Sequence, residues 1–557
     1  MRFVAQPAIE RRQRLLEVRD SALYQHGVSR RVLKSPARGF PRGARSALAP
    51  YSGEAPLSEL ATEQPEDLAP RVATLLRARI LSTLVDTAMA IALVRLLPKA
   101  EFAVLGVAFV VYELAKQLSV GGFADSLLVL VPVAAEGSRR PLAFRTARLL
   151  LITGTVAAVV TLGMAASVSL WLSHWQAADR ALEANVLCAF AAVCVLEFPS
   201  LPLTQLLLSL DHQRAAGRWE VVTSVASLIA LLGPVILGYG VMVSAVCLAV
   251  WAGCRTLIAL TVARSVLPKA SEALPRGSLR EQLDFALPLG VHTLVNRLNK
   301  HADKLIVTAM LPSAAFAEYA AASNELPVVT LFPYAVGSVL ASRYALLFSA
   351  GRREQAAQLW LSGVRKVSLV VVPAALWAFA TAPELIALAF GPSYAGAVWP
   401  FRIFSLILLA RVAQYGTVLQ AARDTRTILK LSVFNAGVNL ALGIALTPRF
   451  GIAGTAMATL VANWTVIALY TRRIARHLEL PVRRVMPFGH WFAVSLVATL
   501  AALIVTFLRS WLPASPALAM VAETLCFVTV VTVMYRALRL WGKNETRAAW
   551  LTLGRAG

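Results

Sequence analysis

From Arg71 onward the sequence alternates between apolar runs of membrane-crossing length and short polar joints. A hydrocarbon core about 30 Å thick needs about 20 helical residues at about 1.5 Å each. Runs of that order fall at residues 74–97, 103–133, 145–172, 185–209, 219–238 and 241–263. After a basic, proline-bearing connector, RSVLPKASEALPRGSLREQLD, they resume at 284–311, 319–347, 364–390, 399–420, 428–447 and 451–471, and two more close the pattern at 488–508 and 516–536. The pattern predicts an all-α polytopic membrane protein with about fourteen transmembrane helices. Six form a first lobe, six a second, and two follow at the C-terminal end.

The joints test this count, because crossings in the right number leave alternate joints basic. One set holds Arg139, Arg140, Arg145 and Arg148; Arg214 and Arg218; Arg264, Lys269, Arg276 and Arg280; and equally basic joints further on. The other set holds only Lys99, Arg180, Arg449 and Arg509. Both termini are therefore expected on the cytoplasmic side. The domain boundaries follow: a basic N-terminal extension at 1–70, an N-lobe at 71–268, an interlobe linker at 269–283, a C-lobe at 284–478, and the last two spans with a cytosolic tail at 479–557. Eleven Arg and Lys residues stand in the first fifty positions with no apolar stretch behind them, which is not a signal peptide. A mostly disordered cytosolic extension is expected, with association to anionic lipid as the alternative.

Composition agrees with the class. Of 557 residues 58% are hydrophobic and 15% charged, with a mean hydropathy of +0.65. The net charge of +24 lies in the joints and not on a basic domain, so it reads as membrane topology and not nucleic-acid binding. The five cysteines sit in apolar runs without metal-ligand spacing, and no phosphate-binding glycine loop occurs. No metal site is expected, and energy must come from a gradient or from the substrate.

The chemistry concentrates in the seventh run, at HTLVNRLNKHADK, His292 to Lys304. Each charge near mid-depth costs at least about 2.5 kcal/mol even on a lenient insertion scale, so this helix cannot face lipid all round. Arg297, Lys300 and Lys304 share a face at i, i+3 and i+7, with Asn296, Asn299 and Asp303 on the face beside it. One reading is a structural pair, Lys300 with Asp303. The other is a water-filled path for substrate. Ionisable groups inside a membrane default to function and here they cluster, which favours the path; three cations against one anion point to an anionic ligand.

Other intramembrane charges are candidates for coupling or charge pairing. Asp86 in the first run could bind a coupling proton or sodium ion. Glu113 and Lys116, at i and i+3 in the second, could do no more than neutralise each other. Glu325 in the eighth could salt-bridge the stripe or take up a proton, and Arg411 in the tenth is deep enough to reach a cavity. Trp171, Trp175, Trp491 and Trp511 fall near run ends and read as interfacial anchors. The lobes echo each other: Leu97-Pro98-x-x-x-Phe102-Ala103 matches Leu311-Pro312-x-x-x-Phe316-Ala317 at equivalent places. This suggests a duplication about an axis along the membrane normal, which would put a ligand between lobes near mid-depth.

The stretch LDFALPLGVHTLVNRLNKHADKLIVTAMLP, with LQAARDT and PRFGIAGTAMATLVANW further on, resembles the polysaccharide transporter family. These O-antigen and exopolysaccharide flippases belong to the multidrug/oligosaccharidyl-lipid/polysaccharide exporter superfamily, and the resemblance covers about Arg71 to Leu478. It implies two lobes set in a V that flip an undecaprenyl-pyrophosphate-linked oligosaccharide across the bacterial cytoplasmic membrane by alternating access. The partners implied are that lipid-linked oligosaccharide, membrane lipids, a polysaccharide polymerase and glycosyltransferases. No enzyme activity is implied, and no cofactor beyond a coupling Na+ or H+. Arg297 would then grip pyrophosphate bidentately, Lys300 and Lys304 would add point charge, and Asn296 and Asn299 would bond sugar hydroxyls. The lipid tail would stay in the bilayer through a gap between helices one and eight.

Three alternatives stay open. A drug exporter of the same fold is expected to carry an acidic cavity, and a lipid II flippase several arginines in its first two helices, whereas the second here offers only Lys116. A polysaccharide polymerase or ligase should display a long external loop.

Overall fold

The computed structural model describes residues 65–120, 122–268, 273–274, 277–323, 327–511 and 515–540. The described residues belong to one compact unit, and the expected disorder of the extension at 1–70 and the C-terminal tail fall largely outside them. Every regular element among the described residues is a helix.

The first half comprises α1 (Pro65–Leu96), α2 (Lys99–Val120), α3 (Phe123–Val133), α4 (Glu136–Ala166), α5 (Ala177–Glu197), α6 (Leu203–Ser209), α7 (Gln213–Ile236) and α8 (Val241–Val266). The second comprises α9 (Ser278–Met310), α10 (Ser313–Ala322), α11 (Pro327–Ser349), α12 (Arg353–Ala380), α13 (Ala382–Phe390), α14 (Val398–Leu408), α15 (Tyr415–Ala421) and α16 (Thr425–His477). Then come α17 (Phe488–Leu508) and α18 (Pro516–Ala537). Among the described residues nine helical stretches are long and apolar enough to cross a membrane. The expected runs at 74–97, 284–311, 319–347 and 399–420 are helical too, but bear charge or a break. The figure of fourteen crossings therefore rests on the alternation of the loop charges.

The 53-residue α16 would be about 80 Å long if straight, far more than a bilayer. It is a hairpin. Gly451 sits at φ 57°, ψ −141°, a conformation open to glycine and strained for other residues. The arms then run back along each other: Thr447 and Thr455 hydroxyls lie 2.7 Å apart, Thr459 donates to Asn439 at 3.2 Å, and Arg473 reaches Asp424 at 2.5 Å. The small residues Gly454, Thr455, Ala458 and Ala462 are buried where the helices approach closely.

A second glycine shapes the middle of the molecule. Between α2 and α3, Gly122 takes φ 81°, and a Cβ there would stand 2.4 Å from the carbonyl oxygen of Ala286 on α9. The bend in the second span thus lets α9 press against α2 and α3, while it packs most extensively on α16 and also meets α10.

The halves meet at both ends. On the face where α1 ends, Lys99 pairs with Glu318 at 2.5 Å, Arg95 donates to the Ala389 carbonyl at 2.9 Å, and Ser313 donates to Asp179 at 2.6 Å. The two matched turns lie here: α2 and α10 pack together, with Phe316 over Gly106. At the opposite end Arg145 donates to Ser278 and Gln282, and Gln282, fully buried, donates to Ser126 and Thr146. One apolar cluster draws on both halves, from Val104 and Leu187 to Phe316 and Ile386.

Two expectations are corrected. Trp175 is not an interfacial anchor but a core residue, 3% exposed, whose ring packs on Phe316. The run at 399–420 is not a continuous helix: it unwinds between Leu408 and Tyr415. The freed carbonyls find donors, Ala410 from the Tyr415 hydroxyl at 2.8 Å and Leu409 from the Trp491 indole at 3.3 Å, which is what an unwound segment inside a membrane protein requires.

Candidate functional site

The seventh run folds as α9, and its helical geometry aims Arg297 across the boundary between halves. Arg297 Nη1 stands 3.7 Å from Glu113 Oε2 on α2, and Glu113 Oε1 is held at 3.5 Å by Lys116 one turn on. The result is a cation–anion–cation chain from α9 to α2. It is not sealed: the side chains of Arg297, Glu113 and Lys116 remain 43%, 29% and 32% accessible. A loose pair of this kind contributes little to stability and can exchange one anion for another. Lys300, one turn below, is exposed, and Lys304 is half-buried.

Asp303 does not join this chain. Its carboxylate is buried, 6% exposed, and accepts from the Tyr319 hydroxyl at 2.7 Å and from the Lys304 amide at 2.8 Å. The alternative reading, Lys300 paired with Asp303, is thereby set aside. Asp303 ties α9 to α10 inside the core, leaving Glu113 as the anion that faces the stripe.

Family comparisons now bear on this arrangement. A family model described as polysaccharide biosynthesis protein matches residues 71–341, and one described as lipid II flippase MurJ matches residues 222–527, more than half the chain. The fold is similar to that of the lipid II flippase MurJ in an inward closed conformation, with a TM-score of 0.66 at 12% identity over 83% of this chain and 99% of that one. It is also similar to an inward-facing multidrug-resistance MATE transporter of the MOP superfamily, with a TM-score of 0.57 at 14% identity over 73% and 99%. No curated protein matches. The chain belongs to the polysaccharide and lipid-linked substrate flippases.

Around the ion chain, the flippase brings some expected residues together and not others. Asp86 on α1 lies beside Ser224 on α7 and within electrostatic reach of Lys116, so it borders the same cluster. Asn299 is half-buried, with its Oδ1 unpartnered among the described residues. Asn296 lies on α9, its side chain outside the described residues, and Glu325 lies wholly outside them. Arg411 sits in the unwound segment between α14 and α15, half-buried.

Sequence reasoning missed His301. Its ring is buried, 8% exposed, both nitrogens unpartnered among the described residues, and it feels Lys304, Lys300, Glu113 and Arg297 electrostatically. The i, i+4 spacing from Arg297 was the signal that could have found it. The buried carboxyl groups Glu183 and Glu523 were missed as well: Glu183 lies in a polar joint three residues after Arg180, where a solvated pair is the ordinary reading, and Glu523 stands alone in an apolar run with no charged residue at helical spacing.

Proposed function

We propose that this protein flips a polyprenyl-pyrophosphate-linked oligosaccharide from the inner to the outer leaflet of the bacterial cytoplasmic membrane, by alternating access, for cell-surface polysaccharide synthesis. The observation that carries the reading is the Arg297–Glu113 pair, an accessible charge contact bridging the two halves of the chain. Pyrophosphate would replace Glu113 on Arg297, whose fork suits bidentate phosphate contact, while Lys116 keeps the displaced carboxylate neutralised. Lys300 and Lys304 would add charge along the headgroup, Asn296 and Asn299 would take sugar hydroxyls, and Arg411 would approach from the tenth span. The polyprenyl tail would remain in the bilayer at the seam between the first and eighth spans, the runs at 74–97 and 319–347.

Because substrate replaces a contact between halves, binding itself would loosen them. Movement of the lobes would then break the Lys99–Glu318 closure on one face while the Arg145–Ser278 closure holds the other, and the reverse in the opposite state. Asp86 is the proposed acceptor of a coupling proton or sodium ion. We assign both termini to the cytoplasm, and place glycosyltransferases before and a polymerase after this step.

A second reading, lipid II as the substrate, is favoured by the MurJ model that matches residues 222–527. Complementation tests both. Cells lacking the gene should regain surface polysaccharide with the intact chain but not with Arg297→Ala, and should accumulate lipid-linked oligosaccharide facing inward. Normal polysaccharide from the Arg297→Ala, Lys300→Ala double variant contradicts the proposal; rescue of a strain depleted of its lipid II flippase would move the assignment to peptidoglycan precursor.

A further inference from the structure

Outside the Glu113–Arg297 cluster, and sharing no residue with it, a groove of about 490 Å³ opens between α4, α5 and α8. It forms where the fourth span breaks at Phe198–Ser200, and Pro199 lines it. Its walls are aliphatic, from Leu151 and Leu196 to Leu257 and Leu260. Leu151 and Leu257 are 44% and 66% exposed, so this is an outward-facing recess and not a core void. A narrower cleft continues it inward past Phe144 and Leu203.

Arg148 and Arg264 stand at one end. Both are exposed, and neither makes an ion pair among the described residues. Arg264 and Arg140 lie 5.9 and 6.0 Å from the centroid of the same Phe144 ring, so like charges gather at this mouth. Depth follows from the helices. Arg148 is about 27 Å along α4 from Ala166, and Arg264 about 35 Å along α8 from Val241, which puts both at headgroup level on the basic side of the membrane. An aliphatic channel ending in the guanidinium groups of Arg148 and Arg264 at that depth matches an acyl chain with a phosphate head.

We propose that this groove binds one anionic glycerophospholipid of the cytoplasmic leaflet, its phosphodiester between Arg148 and Arg264 and one acyl chain along Leu151, Leu196, Leu257 and Leu260. The site lies on the outer wall of the first half, and the lipid there is a bound companion of the flippase and not its cargo. The ring of Phe144 holds Arg264 over the mouth.

The test is lipid retention by the purified full chain, read by native mass spectrometry and by titration with phosphatidylglycerol and phosphatidylethanolamine. The intact chain should keep one phosphatidylglycerol in preference to phosphatidylethanolamine. Arg148→Gln with Arg264→Gln should weaken phosphatidylglycerol about thirtyfold. Leu257→Trp, at an exposed position that folding tolerates, should block the channel and lower retention with both arginines present. Equal retention by the intact chain and both variants overturns the proposal, as does equal affinity for the two lipids. Displacement of phosphatidylglycerol by an equal amount of polyprenyl phosphate overturns it too, since that would assign the groove to a carrier lipid.

Discussion

Glu113 is the residue on which the ligand argument turns. Held between Arg297 and Lys116, it occupies the position an incoming phosphate oxygen would take. Glu113→Gln should therefore tighten binding of the lipid-linked substrate, by removing a competing anion, while slowing flipping because the halves lose a contact that must re-form; binding and transport assays on one preparation separate the two effects. Arg297→Lys keeps the charge but loses the fork, and should cost about 2 kcal/mol of substrate affinity, about thirtyfold. Tyr319→Phe leaves the buried Asp303 short of a donor and should lower stability by about 1–3 kcal/mol without changing the flipping rate per folded molecule. The stripe itself was legible because Arg297, Lys300 and Lys304 repeat at helical spacing. What the spacing hid was direction. At about 100° per residue Asp303 stands about 120° from Arg297 and turns into the core, whereas His301 stands only about 40° away. Glu113 was legible only as half of a pair with Lys116, because its second cation, Arg297, comes from a segment far along the chain.

The same division holds among the helices. The runs at 428–447 and 451–471 are distinct in the sequence, and PRFG between them marks the reversal that Gly451 makes. Gly451→Ala should lower the thermal midpoint, the strain being of order 1–3 kcal/mol. At the open end of this hairpin, burial pushes the Asp424 carboxyl upward, but hydrogen bonds from Arg473, His477 and Thr427, with the Arg473 charge, outweigh it and hold the group well below the usual carboxylate range. A depressed carboxylate stabilises the fold above its unfolded value, about pH 4, and loses that contribution as pH falls. The stability gap between the intact chain and Asp424→Asn should be level above about pH 5 and shrink below about pH 4. The break between α14 and α15 gave no such sign, since no glycine or proline lies between Leu409 and Gln414. It depends on the Tyr415 hydroxyl and on Trp491, the latter from the thirteenth run, and a propensity argument cannot see that partner.

Taken together, the halves are latched at both faces, and the proposed alternating access requires each latch to open in turn. A disulfide replacing Lys99 and Glu318 should stop flipping when oxidised and restore it on reduction, with the fold unchanged. The duplicated Leu-Pro turns foreshadowed this contact, because related segments of two lobes meet about a common axis; the Arg145–Ser278–Gln282 latch has no counterpart repeat and emerges only from the packing of α9 on α3 and α4. Whether the cationic face of α9 receives the headgroup is decided by equilibrium binding of a polyprenyl-pyrophosphate oligosaccharide and of its monophosphate form to the purified chain. The intact flippase should prefer the pyrophosphate, and Arg297→Ala with Lys300→Ala should abolish that preference. An undiminished preference in the double variant would contradict the assignment.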